Sequence, residues 1–557
     1  MAEGSSAAGP VRVVALGGLG EIGLNFLVVE HAGAAIVIDC GVMFPERPAF
    51  GAGLFSPDLT WLGTGKLKFL GTVLTHAHED HIGALPQLIK RFPMPVYGTP
   101  LTLTFARRRL RENEIAGSTD LRFFLPGEVI ELGPFRVEAI RVTHSTPDSL
   151  ALAIGTPAGT IVHSGDFKID EAPVDGARFD ADRFGRLGDE GVALLLSDST
   201  NVERPGRSGS ESSLRPVLRE KIRNCKGKFF VSAFSSHIHR IRQVVDVSRE
   251  SMRMVVPLGR RAIESVRFGI EHGQLDYPPG TFIDPAEAEF LAPRQLTFFT
   301  GGSQAEPNSA LGRIAADVHP RVRVDAGDTV VLSSRAIPGN ERPINQLIND
   351  LFRRGADVLH DAVAPVHVSG HACRDELTDM IRLVRPRTFV PIHGEYRHLV
   401  RHAALAIEAG VPPANVFVLE DGDSLLLDQA GARRGAVVKA GRVAIDGDEF
   451  ADPALVDERR ALAHGGAVVA IVAISAASGR IVGGPELISR GLTVGDGTSS
   501  LMRQARSELA ARLAQIDPPV GPGDSRLRGN IVRALRDFFD DTTGHRPLVV
   551  AHVMEVE

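Results

Sequence analysis

The sequence predicts an α/β protein of two or three domains, and three observations carry that expectation. Apolar runs of strand length recur along the chain and alternate with segments of helical periodicity. Many of these runs end in turns bearing His, Asp, Ser or Gly, as strands do when they deliver side chains to one sheet edge. At 557 residues the chain is also too long for a single core.

Composition narrows the class. Hydrophobic content of 43% and charged content of 23% are ordinary for a chain that folds. A net charge of −6 excludes a globally basic nucleic-acid coat but leaves room for a local basic groove. Cys40, Cys225 and Cys373 stand at no metal-like spacing and read as reduced, buried thiols. No apolar run reaches the length of a bilayer span, and the first residues lack the basic and apolar regions of a signal peptide. A cytoplasmic protein without membrane association is expected.

Taken in order, Val11 to Leu16, Phe26 to Glu30 and Ala35 to Asp39 read as strands. The glycine run Gly17-Gly18-Leu19-Gly20-Glu21-Ile22-Gly23 joins two strands rather than opening a helix. A dinucleotide site is therefore rejected, because no helix dipole faces the turn. Phe69 to Leu74 reads as a buried strand and Ile82 to Lys90 as a helix. Between them, Thr75-His76-Ala77-His78-Glu79-Asp80-His81 crowds imidazoles and carboxylates into one turn. His76 and His78 alternate on an extended segment and point the same way, whereas Asp80 and His81 lie past the bend and can serve a second ion. One structural zinc needs no such crowding.

Further ligand types follow downstream strands. His144 comes after Ile140-Arg141-Val142, and Asp166 after Thr160-Ile161-Val162-His163. Asp166 is expected to bridge two metals, since a shared carboxylate fixes their separation, and His163, on the other side of its strand, reads as a core residue or one that supports the ligands from behind. In the middle of the chain, Phe229 to Phe234, Met254 to Leu258, Leu296 to Thr300 and Thr329 to Leu332 read as strands of a parallel sheet. Ligands bind at the carboxyl ends of such strands. Ser235, Ser236, His237, His239, the turn at Ser303, Arg335, His367, Ser369, Gly370 and His371 are thus expected to form a phosphate-binding wall. Arg107-Arg108-Arg109 reads as a solvated helix face, with a basic rim as the alternative. Near the end, Ala467 to Ile474 and Leu548 to Val553 read as strands. Ser499 to Ile516 reads as a helix capped by Thr498 or Ser499, which completes a small α+β module.

The histidine cluster with His144 and Asp166 resembles the metallo-β-lactamase superfamily, whose fold is an αββα sandwich. Ser197-Asp198-Ser199-Thr200-Asn201 resembles the signature of the β-CASP group, which carries a large insertion. Gly302-Ser303-Gln304-Ala305-Glu306-Pro307, Ile337-Pro338-Gly339-Asn340-Glu341, His367-Val368-Ser369-Gly370-His371, Pro391-Ile392-His393-Gly394-Glu395-Tyr396-Arg397 and Gly484-Pro485-Glu486-Leu487-Ile488-Ser489-Arg490-Gly491 resemble the ribonuclease J family. The chain departs from that family at Ser236-His237, Ala305 and Asn308. The resemblance implies a metallo-β-lactamase domain over 1–210 and 369–446, a β-CASP insertion over 211–368, a linker over 447–463 and a C-terminal α+β domain over 464–557.

It further implies that His76, His78 and His144 hold one zinc and Asp80, His81 and His393 another, with Asp166 between them. A histidine at 393 goes with RNA-processing members, where DNA-processing members carry valine. The resemblance pairs Asp198 with His371, and an imidazole oriented by a carboxylate suits protonation of a departing oxygen. Implied as well are two Zn2+ per subunit with Mn2+ as replacement or additional activator, and a 5′-to-3′ exoribonuclease acting on single-stranded RNA with a 5′-monophosphate. Additional endonuclease cleavage, a homodimer or tetramer, and partners in RNA decay and processing complete the expectation. Three rivals stand against it: a DNA nuclease of the same fold, a small-molecule hydrolase, and an RNA-decay scaffold with structural metals.

Overall fold

Strands with alternating Val, Ile, Leu and Ala build two facing sheets. The structure, a computed structural model, describes residues 9–44, 53–306, 308–337, 339–447, 449–492, 498–516 and 525–557. Pro307 and Pro338 and the side chains of Thr498 and Ser499, the expected helix cap, lie outside the described residues. The described chain falls into two units that divide after Val443.

In the first unit, one sheet has eight strands in the order Gly431–Arg434, Ser424–Asp428, Val11–Gly17, Phe26–His31, Ala34–Ile38, Lys68–Val73, Val96–Gly98 and Leu121–Phe123. The other has six, in the order Thr388–Ile392, Val192–Asp198, Gly159–His163, Leu150–Thr156, Phe135–Arg141 and Val129–Leu132. Period-2 alternation sends Val11, Val13, Val29, Ile36 and Ile38 of the first sheet into one core with Val137, Leu152, Ile154, Leu194 and Val390 of the second. The second sheet's other face, through Ile140, Val162, Leu195 and Phe389, packs on Phe184, Leu187, Leu377, Ile381 and Leu405. Those residues sit on the helices Ala181–Glu190, Arg374–Val384 and Tyr396–Glu408. With Leu85–Arg91 and Pro100–Glu112 beside the first sheet, the layers run αββα.

Strand direction, more than layering, positions the site. Gly159–His163, Val192–Asp198 and Thr388–Ile392 are mutually parallel, and Phe135–Arg141 runs the same way through two antiparallel steps. Their carboxyl ends open on one edge. The first sheet reaches the same edge, because Leu150 N donates to Thr75 O (2.9 Å) just past Lys68–Val73.

The inserted segment forms a five-stranded, all-parallel sheet in the order Met254–Leu258, Leu296–Thr300, Phe229–Ser232, Thr329–Leu332 and Asp357–Leu359. Its core is separate, with Phe230 stacked on Phe298 at 4.7 Å. The Phe229 strand ends at Ser232, two residues short of the expected Phe234.

The second unit is a three-stranded sheet, Ile481–Arg490, Ala467–Ser475 and Leu548–Val556, with Val468, Val472 and Val553 facing the helices Thr498–Leu513 and Ser525–Thr543. Two features differ from expectation. Pro453–Gly465, most of which falls in the expected linker, is a helix that opens on an Asp452 cap. Ser525–Thr543 is a second long helix with Leu527, Ile531, Leu535 and Phe539 buried.

The glycine run is a seat rather than a nucleotide loop. Leu19–Gly20 pairs in parallel with Gly394–Glu395, and His393 N donates to Gly18 O (2.9 Å). Gly18 and Gly20, at φ 88° and 82°, take the left-handed backbone this crossing requires. Beneath the seat, Arg442 pairs with Glu21 at 2.5 Å, while Asp421 accepts from Leu19 N at 3.0 Å. Burial and then the Glu21 charge push the Asp421 carboxyl up to about 8.

A carboxyl raised in the folded state contributes stability below its unfolded pKa and loses it as pH climbs through about 8. Asp421→Asn keeps the acceptor for Leu19 N. Its urea midpoint is therefore expected to match the parent below the ordinary carboxylate range, to exceed it increasingly as pH climbs from there to about 8, and to hold that difference at higher pH. Leu152→Ala, in the fully buried layer between the sheets, is expected to cost about 3 kcal/mol of unfolding free energy, read from the same titration at neutral pH.

Candidate metal centre and acid dyad

Local sequence brings the first three imidazoles together. His78 is extended (φ −72°, ψ 149°) and precedes the short helix Glu79–Ile82, so His76 and His78 lie on one strand-like segment. His76 Nε2 lies 3.0 Å from His78 Nδ1, and His144 Nε2 lies 3.2 Å from the same atom. Asp166 Oδ2 stands 3.6 Å from His76 Nε2 and 3.9 Å from His144 Nε2. Burial lowers the pKa of all three imidazoles, His78 to about 4, which leaves ring lone pairs facing one point. His144 is fixed by donating Nδ1–H to Gly370 O (2.7 Å). A Cβ at Gly370 would stand 2.8 Å from that ring, so only glycine admits the contact.

The second group comprises Asp80, His81, Asp166 and His393. The expected helix from Ile82 to Lys90 is in fact two, Glu79–Ile82 and Leu85–Arg91, broken at Gly83-Ala84. Asp80 and His81 thus sit in the first turn of a helix that starts earlier than predicted. Nδ1 of His81 donates to Asp39 Oδ2 (2.8 Å), and Nε2 turns toward Asp166 (3.2 Å) and Asp80 (3.8 Å). His393, at φ 52°, donates Nδ1–H to Thr200 Oγ1 (2.7 Å) and points Nε2 at Asp80 (3.4 Å). Thr200 Oγ1 in turn donates to Asp198 Oδ1 (2.8 Å).

Here the charge balance inverts. Burial alone would lower His81 and His393, but Asp166 with its neighbouring carboxylates overrides it, raising His81 and pushing His393 up to about 10. The pocket demands positive charge. Neutral imidazoles on one side, ionised carboxylates between and Nδ1-anchored histidines on the other are the donor set of a divalent transition ion. The residues present fit one.

Asp198 and His371 form the third element. His371 Nδ1 donates to Asp198 Oδ2 at 2.8 Å, and Asp198 raises the imidazole's pKa against the effect of burial. The ring stacks on His393 at 5.4 Å, which places the dyad against the metal-type cluster.

The residues expected to bind phosphate divide. Ser369 lies beside His371 and accepts from Asn201 Nδ2 (2.7 Å) and His371 N (3.2 Å). His367 is part-buried, with Nδ1 lacking a hydrogen-bond partner among the described residues and a pKa lowered by burial to about 3. Arg335 pairs with Asp361 at 3.1 Å, Ser235 is part-buried and Ser303 is buried. His237 is committed elsewhere. It is buried as the cap of Ile238–Glu250 and lies 3.6 Å from Glu211. His239 turns to Asp175 (3.2 Å) and, with His144, lines a polar cavity of about 10 Å³. Arg108 and Arg109 are likewise neither solvated face nor rim, because Glu79 claims both.

Asp39, Thr200 and Asn201 complete the site without belonging to the expected set. Asp39 closes a strand and Thr200 sits two residues after Asp198, but a lone Asp or Thr after a strand is ordinary turn chemistry.

Known proteins share this domain order. A metallo-beta-lactamase superfamily model matches residues 19–207, and one for the ribonuclease J beta-CASP domain matches 226–351. A Zn-dependent metallo-hydrolase RNA specificity domain matches 356–419, and the ribonuclease J C-terminal domain matches 454–556. Ribonuclease J of Mycobacterium tuberculosis (strain ATCC 25618 / H37Rv) is 38% identical over 559 residues, covering 99% of each chain. That of Mycolicibacterium smegmatis is 37% identical over 556 residues, covering 99% of this chain and 98% of the relative. Ribonuclease J of Helicobacter pylori (strain ATCC 700392 / 26695) is 35% identical over 545 residues, covering 97% and 79%. A crystal structure of a protein of unknown function from Enterococcus faecalis V583 aligns at a TM-score of 0.53 and 17% identity, covering 75% of this chain and 100% of that one, a likeness of fold. Matched nearly end to end by such relatives and by models of both of the family's distinctive domains, the chain belongs to the ribonuclease J family of the metallo-β-lactamase superfamily.

Proposed function

We propose that the protein is a metal-dependent ribonuclease that degrades RNA from the 5′ end, prefers a 5′-monophosphate, and also cleaves internally. The observation that carries this reading is the Asp198–His371 dyad set against the buried His/Asp cluster. His76, His78 and His144 with Asp166 would hold one ion, and Asp80, His81 and His393 with the same Asp166 the other. Two Zn2+ per subunit suit these donors, and Mn2+ suits mixed imidazole and carboxylate sites as well. Bound there, the ions supply Lewis acidity for the phosphodiester's non-bridging oxygens and acidify a water.

The chain's own residues do the rest. Asp198 accepts from His371 Nδ1 and raises the imidazole's pKa, so Nε2 is the nitrogen left to protonate the departing 3′-oxygen. The products are a 5′-phosphate and a 3′-hydroxyl. Ser369 and Gly370, immediately before His371 on the same turn, are suited to a terminal 5′-phosphate, which would set a one-nucleotide step. Asn201 orients that turn through Ser369 Oγ and His371 O. A polymer substrate also accounts for the inserted domain, which a small-molecule hydrolase does not need. His393 favours RNA over the DNA nuclease by family likeness. Among the described residues no helix is long and apolar enough to cross a membrane. Cytoplasmic action in RNA decay and processing, as a dimer or tetramer with other decay proteins, belongs to the same proposal.

On 5′-monophosphorylated RNA labelled at either end, the parent is expected to release 5′-mononucleotides, more slowly from 5′-triphosphate or 5′-hydroxyl RNA. Asp80→Ala and His81→Ala should abolish release, and equal cleavage of single-stranded DNA would sink the RNA assignment. Dialysis against a chelator should remove activity that Zn2+ or Mn2+ restores. His371→Ala should lower kcat by about 10²- to 10⁴-fold with the metal content intact. Loss of metal instead would make His371 a ligand rather than the acid.

A further inference from the structure

The residue between the ligand-type side chains, Glu79, is claimed from two domains at once. Its carboxylate receives Arg108 Nη2 at 2.6 Å and Arg109 Nε at 3.4 Å, both from the helix Pro100–Glu112 of the metallo-β-lactamase domain. Arg261 Nη1, from the helix Arg260–Glu271 of the β-CASP domain, stands 3.6 Å from the same Oε1 that Arg108 holds. Around this point the two helices are in direct contact. Phe105 meets Phe268 edge-on at 5.1 Å, Thr104 Oγ1 meets His272 Nε2 at 2.7 Å, and Arg108 reaches Glu264 at 3.7 Å.

We propose that Arg261 is a positioning residue of the metal centre, acting through Glu79 on Asp80 and His81. The inference rests on the reading of those two residues as ligands. Glu79 opens the one-turn helix Glu79–Ile82 that carries both of them. That helix is too short to hold itself, since nucleation of an isolated turn is unfavourable. It is tied by backbone bonds, Val42 N to Glu79 O (3.0 Å), Asn25 N to Asp80 O (3.0 Å) and Cys40 N to His81 O (2.7 Å). Side chains tie it as well: His81 Nδ1 donates to Asp39 Oδ2 (2.8 Å), Asn25 Nδ2 donates to Asp80 O (3.2 Å), and the arginine cluster holds Glu79, with Arg109 adding a bond to Gly83 O (2.9 Å). Two of these arginines belong to the same domain as the turn, so their pull is constant. Arg261 is present only while the β-CASP domain is seated. The seating of that domain and the occupancy of the Asp80–His81–His393 position must therefore favour each other, because coupling between two equilibria is reciprocal.

The Arg261 side chain is 48% exposed, so its effect is modest and weakened by salt. Zinc-loaded full-length protein titrated with a chromophoric chelator at low ionic strength reads it. Arg261→Ala is expected to weaken the less tightly held zinc about 2- to 5-fold, and Arg261→Lys to restore it, because a single contact at 3.6 Å needs charge rather than a fork. Arg260→Ala is the control. It breaks a contact across the same seam, to Glu112 (3.6 Å), without touching Glu79, and should leave zinc affinity unchanged. In a Glu79→Gln background, Arg261→Ala should add nothing. As the reciprocal readout, zinc removal should speed hydrogen exchange in the helix Arg260–Glu271. Parent-like affinity in Arg261→Ala, or an equal loss in Arg260→Ala, overturns the proposal. Asp80→Ala that retains both zinc equivalents overturns instead the ligand assignment beneath it.

Discussion

Buried negative charge is the constraint on which the rest of this structure depends. Asp39, Asp166 and Asp198 are each 1–2% exposed, and Asp80 stands beside them. Carboxylates withdrawn from water cost several kcal/mol each unless cations and donors surround them. The chain answers with a ring of imidazoles, and that answer dictates their orientation. His81, His144, His371 and His393 each spend Nδ1 on an oxygen, of Asp39, Gly370, Asp198 and Thr200 respectively. The second nitrogen of His81, His144 and His393 faces the carboxylates of the centre. The same demand raises the pKa of His81 and His393 against the effect of burial.

Holding that arrangement requires strands that end together. The parallel run of Gly159–His163, Val192–Asp198 and Thr388–Ile392 brings Asp166, Asp198 and His393 to one edge, although Asp198 and His393 are 195 positions apart. The β-CASP insertion fills that interval, so His371 and His393 reach the site only after the chain has left the first domain and returned. A buried charge pair holds the insertion where it meets the first domain, at Glu211, whose N donates to Asp170 Oδ2 (2.9 Å). Arg240, with a fully buried side chain, bonds to Glu211 at 2.6 Å and also to Ser333, whose hydroxyl donates to Val366 O. That chain of bonds leads to the turn carrying His367, Ser369 and His371. Removing one partner of so buried a pair would leave an uncompensated charge, at about 3–5 kcal/mol.

Legibility followed sequence distance. His76, His78, Asp80 and His81 were readable because a strand followed by a turn fixes their geometry within six positions. His144 and Asp166 were readable because each follows a strand. The pairing of Asp198 with His371, and of His393 with Asp80, came from family likeness, since no local rule joins residues so far apart. Asp39 and Thr200 gave no signal, being single polar residues in positions where turn chemistry is the default. The helix Pro453–Gly465 escaped because it displays no apolar stripe, with Leu455 and Leu462 both exposed. By contrast, the i, i+4 stripe of Leu527, Ile531, Leu535 and Phe539 was there to be read.

By itself, then, the sequence determined the α/β class, the strand-and-turn units, the metal-type turn and the family. These depend on periodicity and on residues near one another in the chain, which is the range over which backbone geometry acts. Tertiary structure decided how those units were used. It gave His237 a helix N-terminus to cap and set His239 beside the carboxylate of Asp175. It also drew Arg108, Arg109 and Arg261 onto Glu79. Charge pairing in a partly buried site is settled by which groups the folded chain brings within a few ångströms, and spacing along the sequence carries no record of that.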